Sequence, residues 1–128
     1  MSPYSLPAMI LLAAPAWTSA AAAPPAIRDA PGKAAGCALR VDFGSYAMGI
    51  DRGAAAAVEK AILSSRGVGD IARHRWGREG EYTLCVAMRS RRAAMALFAR
   101  LKPLLPAKPR GPIALSLADD RTVRAPAR

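Results

Sequence analysis

The sequence predicts a small α+β domain on the split βαβ plan, a four-stranded antiparallel sheet with two helices on one face. Three observations point there. Apolar residues recur with period two in Leu39–Phe43, Tyr82–Met88 and Ile113–Leu117. They recur at helical spacing after Asp51 and after Ser90, and junctions rich in Gly and Pro separate these stretches. Period two marks strands, and spacings of three and four mark helices.

Leu39, Val41 and Phe43 alternate with Arg40 and Asp42, a half-buried strand that stops at Gly44. The connection Gly44-Ser45-Tyr46-Ala47-Met48-Gly49-Ile50 leads to Asp51, an N-cap for a helix over 52–65. Ala54, Val58 and Ile62 stack on one face of that helix, and its alanines allow close approach to a sheet. Val68 to Trp76 reads as a second strand. Its charged run Arg73-His74-Arg75 suits an edge, where charge discourages pairing with other chains. Gly77 to Gly80 make the turn into the strand on which the domain is centred, with Tyr82, Leu84, Val86 and Met88 on its large-residue face. Ser90 caps a helix over 91–102, with Ala94, Leu97, Phe98 and Leu101 inward and Arg91, Arg92, Arg100 and Lys102 outward. Pro103 and Pro106 end it. Ile113, Leu115 and Leu117 form the last strand. This is the ferredoxin-like order, with the first and third strands as the central pair.

The ordered domain is expected over 37–118, with a flexible lead over 23–36 and a disordered tail over 119–128. The first 22 residues read as a secretory signal. Met9–Ala14 is a short apolar core and Thr18–Ala22 are small, which sets cleavage after Ala20, Ala21 or Ala22. The reading lacks one usual feature, since no Lys or Arg precedes Met9. A competing reading takes Ala34-Ala35-Gly36-Cys37 as a lipid-attachment motif, against which Arg28, Asp29 and Lys33 intervene. No segment approaches membrane-spanning length, so the expected location is periplasmic or secreted.

Net charge is +10, from 19 basic residues, 15 of them Arg, against 9 acidic. Such a balance can attract nucleic acid, anionic lipid or acidic polymers. The charges are scattered along the chain, and a composition heavy in Ala, Arg and Pro accounts for them without a dedicated site. Cys37 and Cys85 make an even count, which in an exported chain suggests a disulfide. Antiparallel pairing of the first and third strands brings them close. Cys37 shares the parity of Leu39 while Cys85 opposes Leu84, a conflict that vanishes if Cys37 precedes the regular strand. Two separate thiols remain the alternative.

Two regions are candidate binding sites. The first is the loop with Ser45, Tyr46 and Asp51, which leads into a helix N-terminus. The second is a basic edge of Arg73, Arg75 and Arg78 with Trp76, since guanidinium and indole groups together can hold bases or sugar rings. Each also has a plain structural reading, a packed loop and a solvated strand end. His74 stands without a partner for catalysis or metal binding, and no phosphate loop, nucleophile elbow or zinc motif occurs. The expectations are therefore no catalytic residue, no metal site, no cofactor and no membrane span.

The stretch Val41-Asp42-Phe43-Gly44-Ser45-Tyr46, the Ala-rich helix after it, and Tyr82 to Leu101 resemble SPOR domains. That resemblance implies an exported βαββαβ module that binds peptidoglycan glycan strands. The end of the third strand, Ala87-Met88-Arg89, departs from the Gly-Pro-aromatic step of that family. The fold plan is also shared with RNA-recognition domains, but the open sheet face predicted here offers Arg40, Asp42, Thr83, Cys85 and Ala87 instead of aromatics, so nucleic acid is not expected as a ligand. The functional expectation is a small exported, non-catalytic interaction or accessory domain for a protein or an envelope polymer. A SPOR-like glycan binder and an enzyme using the Gly44–Asp51 loop are the alternatives.

Overall fold

A computed structural model describes residues 3–4, 7–17 and 24–127. The expected cleavage positions Ala20, Ala21 and Ala22 lie outside the described residues. No helix among the described residues is long and apolar enough to cross a membrane.

The chain folds as β1 (Ile27–Asp29), β2 (Leu39–Phe43), α1 (Arg52–Leu63), β3 (Val68–Arg75), β4 (Tyr82–Met88), α2 (Arg91–Leu101), a 3₁₀ turn (Lys102–Leu104), β5 (Ile113–Leu117) and β6 (Thr122–Ala125). The architecture is α+β, as expected. The sheet is not four-stranded and antiparallel: it is mixed and six-stranded, in the order β1-β3-β4-β2-β5-β6. The four strands read from the periodicity occupy its middle and run antiparallel to their neighbours. The two additions come from the segments expected to be a flexible lead and a disordered tail. β1 pairs in parallel with β3 through Ile27–Ile71, Arg28–Ala72 and Asp29–Arg73, and β6 pairs antiparallel with β5. β3 is therefore not an edge strand. Both true edges are short, three and four residues, which limits the template they offer to another chain.

One face of the sheet carries the core. Leu39, Val41 and Phe43 of β2 face Val86, Leu84 and Tyr82 of β4 in register, flanked by Ile71 and by Ile113, Leu115 and Leu117. Val58 and Ile62 of α1 and Leu97 and Leu101 of α2 close over that face, in one continuous apolar cluster. Both helices begin as their caps dictate. Asp51 accepts the Ala54 N–H at 3.0 Å and Ser90 accepts the Ala93 N–H at 3.1 Å, each satisfying an amide that the helix leaves unpaired.

The lead crosses the opposite, outer face. Because β1 and β2 are both parallel to β3 in sense, residues 30–38 form a helix-free crossover that passes over β3 and β4. Ala30 N–H reaches the Arg73 carbonyl at 2.9 Å, and His74 Nδ1 lies 3.0 Å from the Gly32 carbonyl oxygen. The crossover ends at a Cys37–Cys85 disulfide, with Cα atoms 5.1 Å apart. Cys37 lies just ahead of β2, which removes the parity conflict: outside the regular strand it is free to turn towards the outer face that Cys85 occupies.

Candidate functional site

The loop of residues 44–51, the turn of residues 76–81 and the Pro109–Pro112 segment meet at one end of the sheet, because β2 and β3 finish there and β4 and β5 begin there. Ser45 holds the first loop together. Its Oγ accepts the N–H groups of Ala47 at 3.0 Å and Gly49 at 2.9 Å, and donates to the Glu79 carboxylate in the neighbouring turn. Ala47 and Gly49 both sit in the left-handed region, at φ +83° and +90°, so the chain doubles back tightly around that hydroxyl. Asp51 is engaged at both oxygens: besides capping α1, it accepts the Arg110 N–H at 3.0 Å. Those two amides hold its carboxyl below the usual carboxylate range, the Ala54 contact contributing most. Gly111 completes the junction, since a Cβ there would lie 2.2 Å from the Gly44 carbonyl oxygen.

Ser45 and Asp51 are thus structural clamps whose polar atoms are committed to the backbone and to Glu79. A cleft of about 440 Å³ does open beside them, lined by Met48, Gly49, Asp51, Arg52 and Arg110, with Tyr46 outside it. What the clamps present to solvent is apolar. Tyr46 is 56% exposed, Met48 92% and Trp76 58%, all at this end of the sheet.

The basic edge does not exist as one surface. Arg73 and Arg75 share the parity of Ile71 and turn toward the helices, whereas Trp76 follows His74 onto the outer face. Arg73 donates to Glu59 of α1 at 2.9 Å and lies over the Tyr82 ring at 5.1 Å, while Tyr82 donates its hydroxyl to the same Glu59 oxygen at 2.7 Å. Burial alone would lower the Arg73 pKa, but the Glu59 carboxylate outweighs it and the net shift is upward. Burial, and then the hydrogen bond to Glu59, push the Tyr82 hydroxyl well above its ordinary value. Arg75 reaches Asp29 at 3.7 Å, and Arg78 is exposed in the turn.

Trp76 belongs instead with Arg40, Asp42 and Thr83, which the sequence already places on the open sheet face without it. Its indole Nε1 donates to Thr83 Oγ1 at 3.2 Å. Thr83, the one buried polar residue among those described, donates to Asp42, and Asp42 accepts a two-pronged contact from Arg40 at 2.9 to 3.1 Å. These side chains run from the residue after β3 across β4 to β2 on the outer face, so a half-exposed indole is fixed beside an arginine–carboxylate pair. The signal for this set was present in the alternation Arg40/Asp42 and Thr83/Cys85 once the central register was known.

Among the described residues no group of three or more His, Cys, Asp or Glu is placed to hold a metal ion. No protein-family model matches the chain, and no curated protein sequence does so.

Proposed function

We propose that the chain is a small exported interaction module, which engages a protein partner through the end of the sheet that carries Tyr46, Met48 and Trp76. The observation that carries this reading is the exposure of these three side chains on segments that are themselves clamped. Aromatic residues, methionine and arginine are enriched at the centres of interfaces, and anchoring them beforehand reduces the ordering cost of binding. The Cys37–Cys85 bridge supports the compartment, because such bonds persist in oxidising surroundings. The test is a photo-crosslinking residue at Met48 in the native host. Recovery of one discrete crosslinked partner, lost on Trp76→Ala, is the expected result, and crosslinks unchanged by Trp76→Ala would refute it. The intact mass of the protein from the same host checks export. A start near residues 21–23 with thiols appearing only after reduction supports it, and a full-length mass with two free thiols excludes it.

One observation favours a second reading, a glycan-binding module of the SPOR type on a ferredoxin-like core. The Trp76 indole held beside Asp42 and Arg40 is the combination that stacks on a sugar ring and bonds its hydroxyls. Pull-down on peptidoglycan sacculi distinguishes the two: retention that depends on Trp76 and Arg40 supports the glycan, and no retention rejects it.

A further inference from the structure

The surplus positive charge is not evenly distributed over the fold. Arg28, Arg40, Arg73, Arg75, Arg91 and Arg121 each lie within ion-pair distance of an Asp or Glu. A separate set does not. Arg66, Arg89, Arg92 and Arg100, with Ser65 and Ser90, line an open cleft of about 480 Å³ between the turn after α1 and one side of α2. None of the nine acidic residues lines it, and among the described residues none of these four arginines pairs with a carboxylate.

The cleft is built by a close approach. Gly67, at φ +78°, brings the turn so near α2 that a Cβ on it would lie 2.8 Å from the Ala93 Cβ. The Arg89 N–H then donates to the Gly67 carbonyl at 2.8 Å, which places Arg66 and Arg89 on facing sides. Arg100, three turns along α2 from Ser90, donates to Ser65 Oγ at 2.7 Å and Ser64 Oγ at 3.1 Å, so hydroxyls rather than a carboxylate hold its guanidinium at the rim. The floor is Ala93, Ala96 and the buried Leu97. Four like charges around one concavity repel each other, and an anion seated among them removes that cost while accepting their forked donors.

We propose that this cleft is a binding site for a phosphoryl ligand bearing two or more negative charges, carried either on a free phosphate compound or on a lipid headgroup. Four guanidinium forks and the Ser90 hydroxyl match the many acceptor oxygens of such a group, the Ser65 hydroxyl being committed to the Ala61 carbonyl, and a single carboxylate would leave most of these donors unused. The shallow apolar floor accepts the carbon skeleton next to it.

The experiment is calorimetric titration of the full chain with inorganic pyrophosphate at low ionic strength. Three proteins are compared: the unmodified chain, Arg89→Gln/Arg92→Gln, and the control Lys108→Gln/Arg124→Gln, which removes equal charge from outside the cleft. Saturable binding is expected, weakened roughly a hundredfold in the cleft variant, about tenfold per lost guanidinium, and within about twofold of the original in the control. Equal weakening in both variants, or no saturable binding, overturns the site. Arg100→Gln, which leaves the α2 N-terminus intact, guards against a folding defect and should weaken binding by about tenfold. Sedimentation with vesicles of cardiolipin, whose headgroup carries two phosphates, and phosphatidylcholine at 1:3 then separates the sources. Vesicle binding lost only in the cleft variant assigns the headgroup, and pyrophosphate binding without vesicle binding assigns a free phosphate.

Discussion

Removing the Cys37–Cys85 bridge, by reduction or by Cys37→Ser/Cys85→Ser, tests how this small domain is held. The bridged residues are 48 apart in sequence, and loop closure over that distance restricts the unfolded chain by about 4 kcal/mol at 25 °C. A domain of this size buries only roughly 60–65% of its unfolded surface, so that increment is a large part of its stability. The Tm should fall by roughly 15–30 °C. In urea, with a slope of about 1.5 kcal/mol/M, the midpoint should fall by roughly 2–3 M. The structure adds a spatial expectation. The bridge fastens the crossover of residues 30–37 to β4, whereas β1 is otherwise held by three residue pairs with β3 and by exposed ion pairs of Arg28 with Asp70 and of Asp29 with Arg73 and Arg75. Amide exchange in residues 27–36 should therefore accelerate on reduction even in conditions where β2 and β4 stay protected. Equilibrium urea unfolding of oxidised and reduced, alkylated protein measures the first effect, and exchange mass spectrometry the second. Midpoints agreeing within about 0.3 M, or uniform acceleration across the sheet, would overturn this role of the bridge.

Other consequences follow from the clamps and the buried network. Asp51→Ala removes a helix cap and the tie to Arg110, and should cost about 1–2 kcal/mol in urea unfolding. Its folded carboxyl titrates below the unfolded one, so the difference between wild type and Asp51→Asn should be full above about pH 4 and shrink as pH falls further. Tyr82 behaves in the opposite sense. Its raised folded pKa gives stability present below about pH 10 and lost as pH rises, because the unfolded chain releases the proton first, and Tyr82→Phe should flatten that alkaline limb. Glu59→Ala leaves Arg73 and the Tyr82 hydroxyl without their shared acceptor, at side-chain exposures of only 21% for Arg73 and 22% for the lost carboxylate, and should cost about 1–3 kcal/mol by thermal or urea unfolding. Gly111→Ala forces a Cβ against the Gly44 backbone and should cost about 1–3 kcal/mol, read by the same unfolding curves.

How far the fold was legible depended on element length and on parity. Helices capped by Asp51 and Ser90 were placed to within two residues, since caps and apolar stripes agree there. The central strands were legible because five to seven residues suffice to establish a period of two. Ile27–Asp29 and Thr122–Ala125 were not, because three or four residues with one or two apolar members carry no period, and partners already in the sheet recruit them. The arginines were misgrouped for a different reason. Charge suggested a wet edge, whereas alternation separates Arg73 and Arg75 from Trp76 and turns Arg73 in toward Glu59, a partner 14 residues away on a helix. Asp51 is legible as a helix cap, which it is, but nothing local shows that Arg110 claims its second oxygen or that Glu79 takes the Ser45 hydroxyl, so both residues also stand as candidate binding groups. The cleft at Arg66, Arg89, Arg92 and Arg100 draws on three elements, so nothing in the sequence alone groups those four.

The crossover of residues 30–37 also governs how the domain carries load. Tension applied ahead of Ile27 would peel only the edge strand and the crossover, about 35 Å of chain at full extension, before reaching Cys37. From there the force passes through a covalent bond into β4, near the middle of the sheet. The segment between the bridged cysteines, with α1 and the central strands, is removed from the extensible length. Reduction would restore about 170 Å of extensible chain over that separation of 48 residues. Stretched from its two ends, the oxidised domain is a short tether with a closed loop at its centre, and its redox state sets its reach.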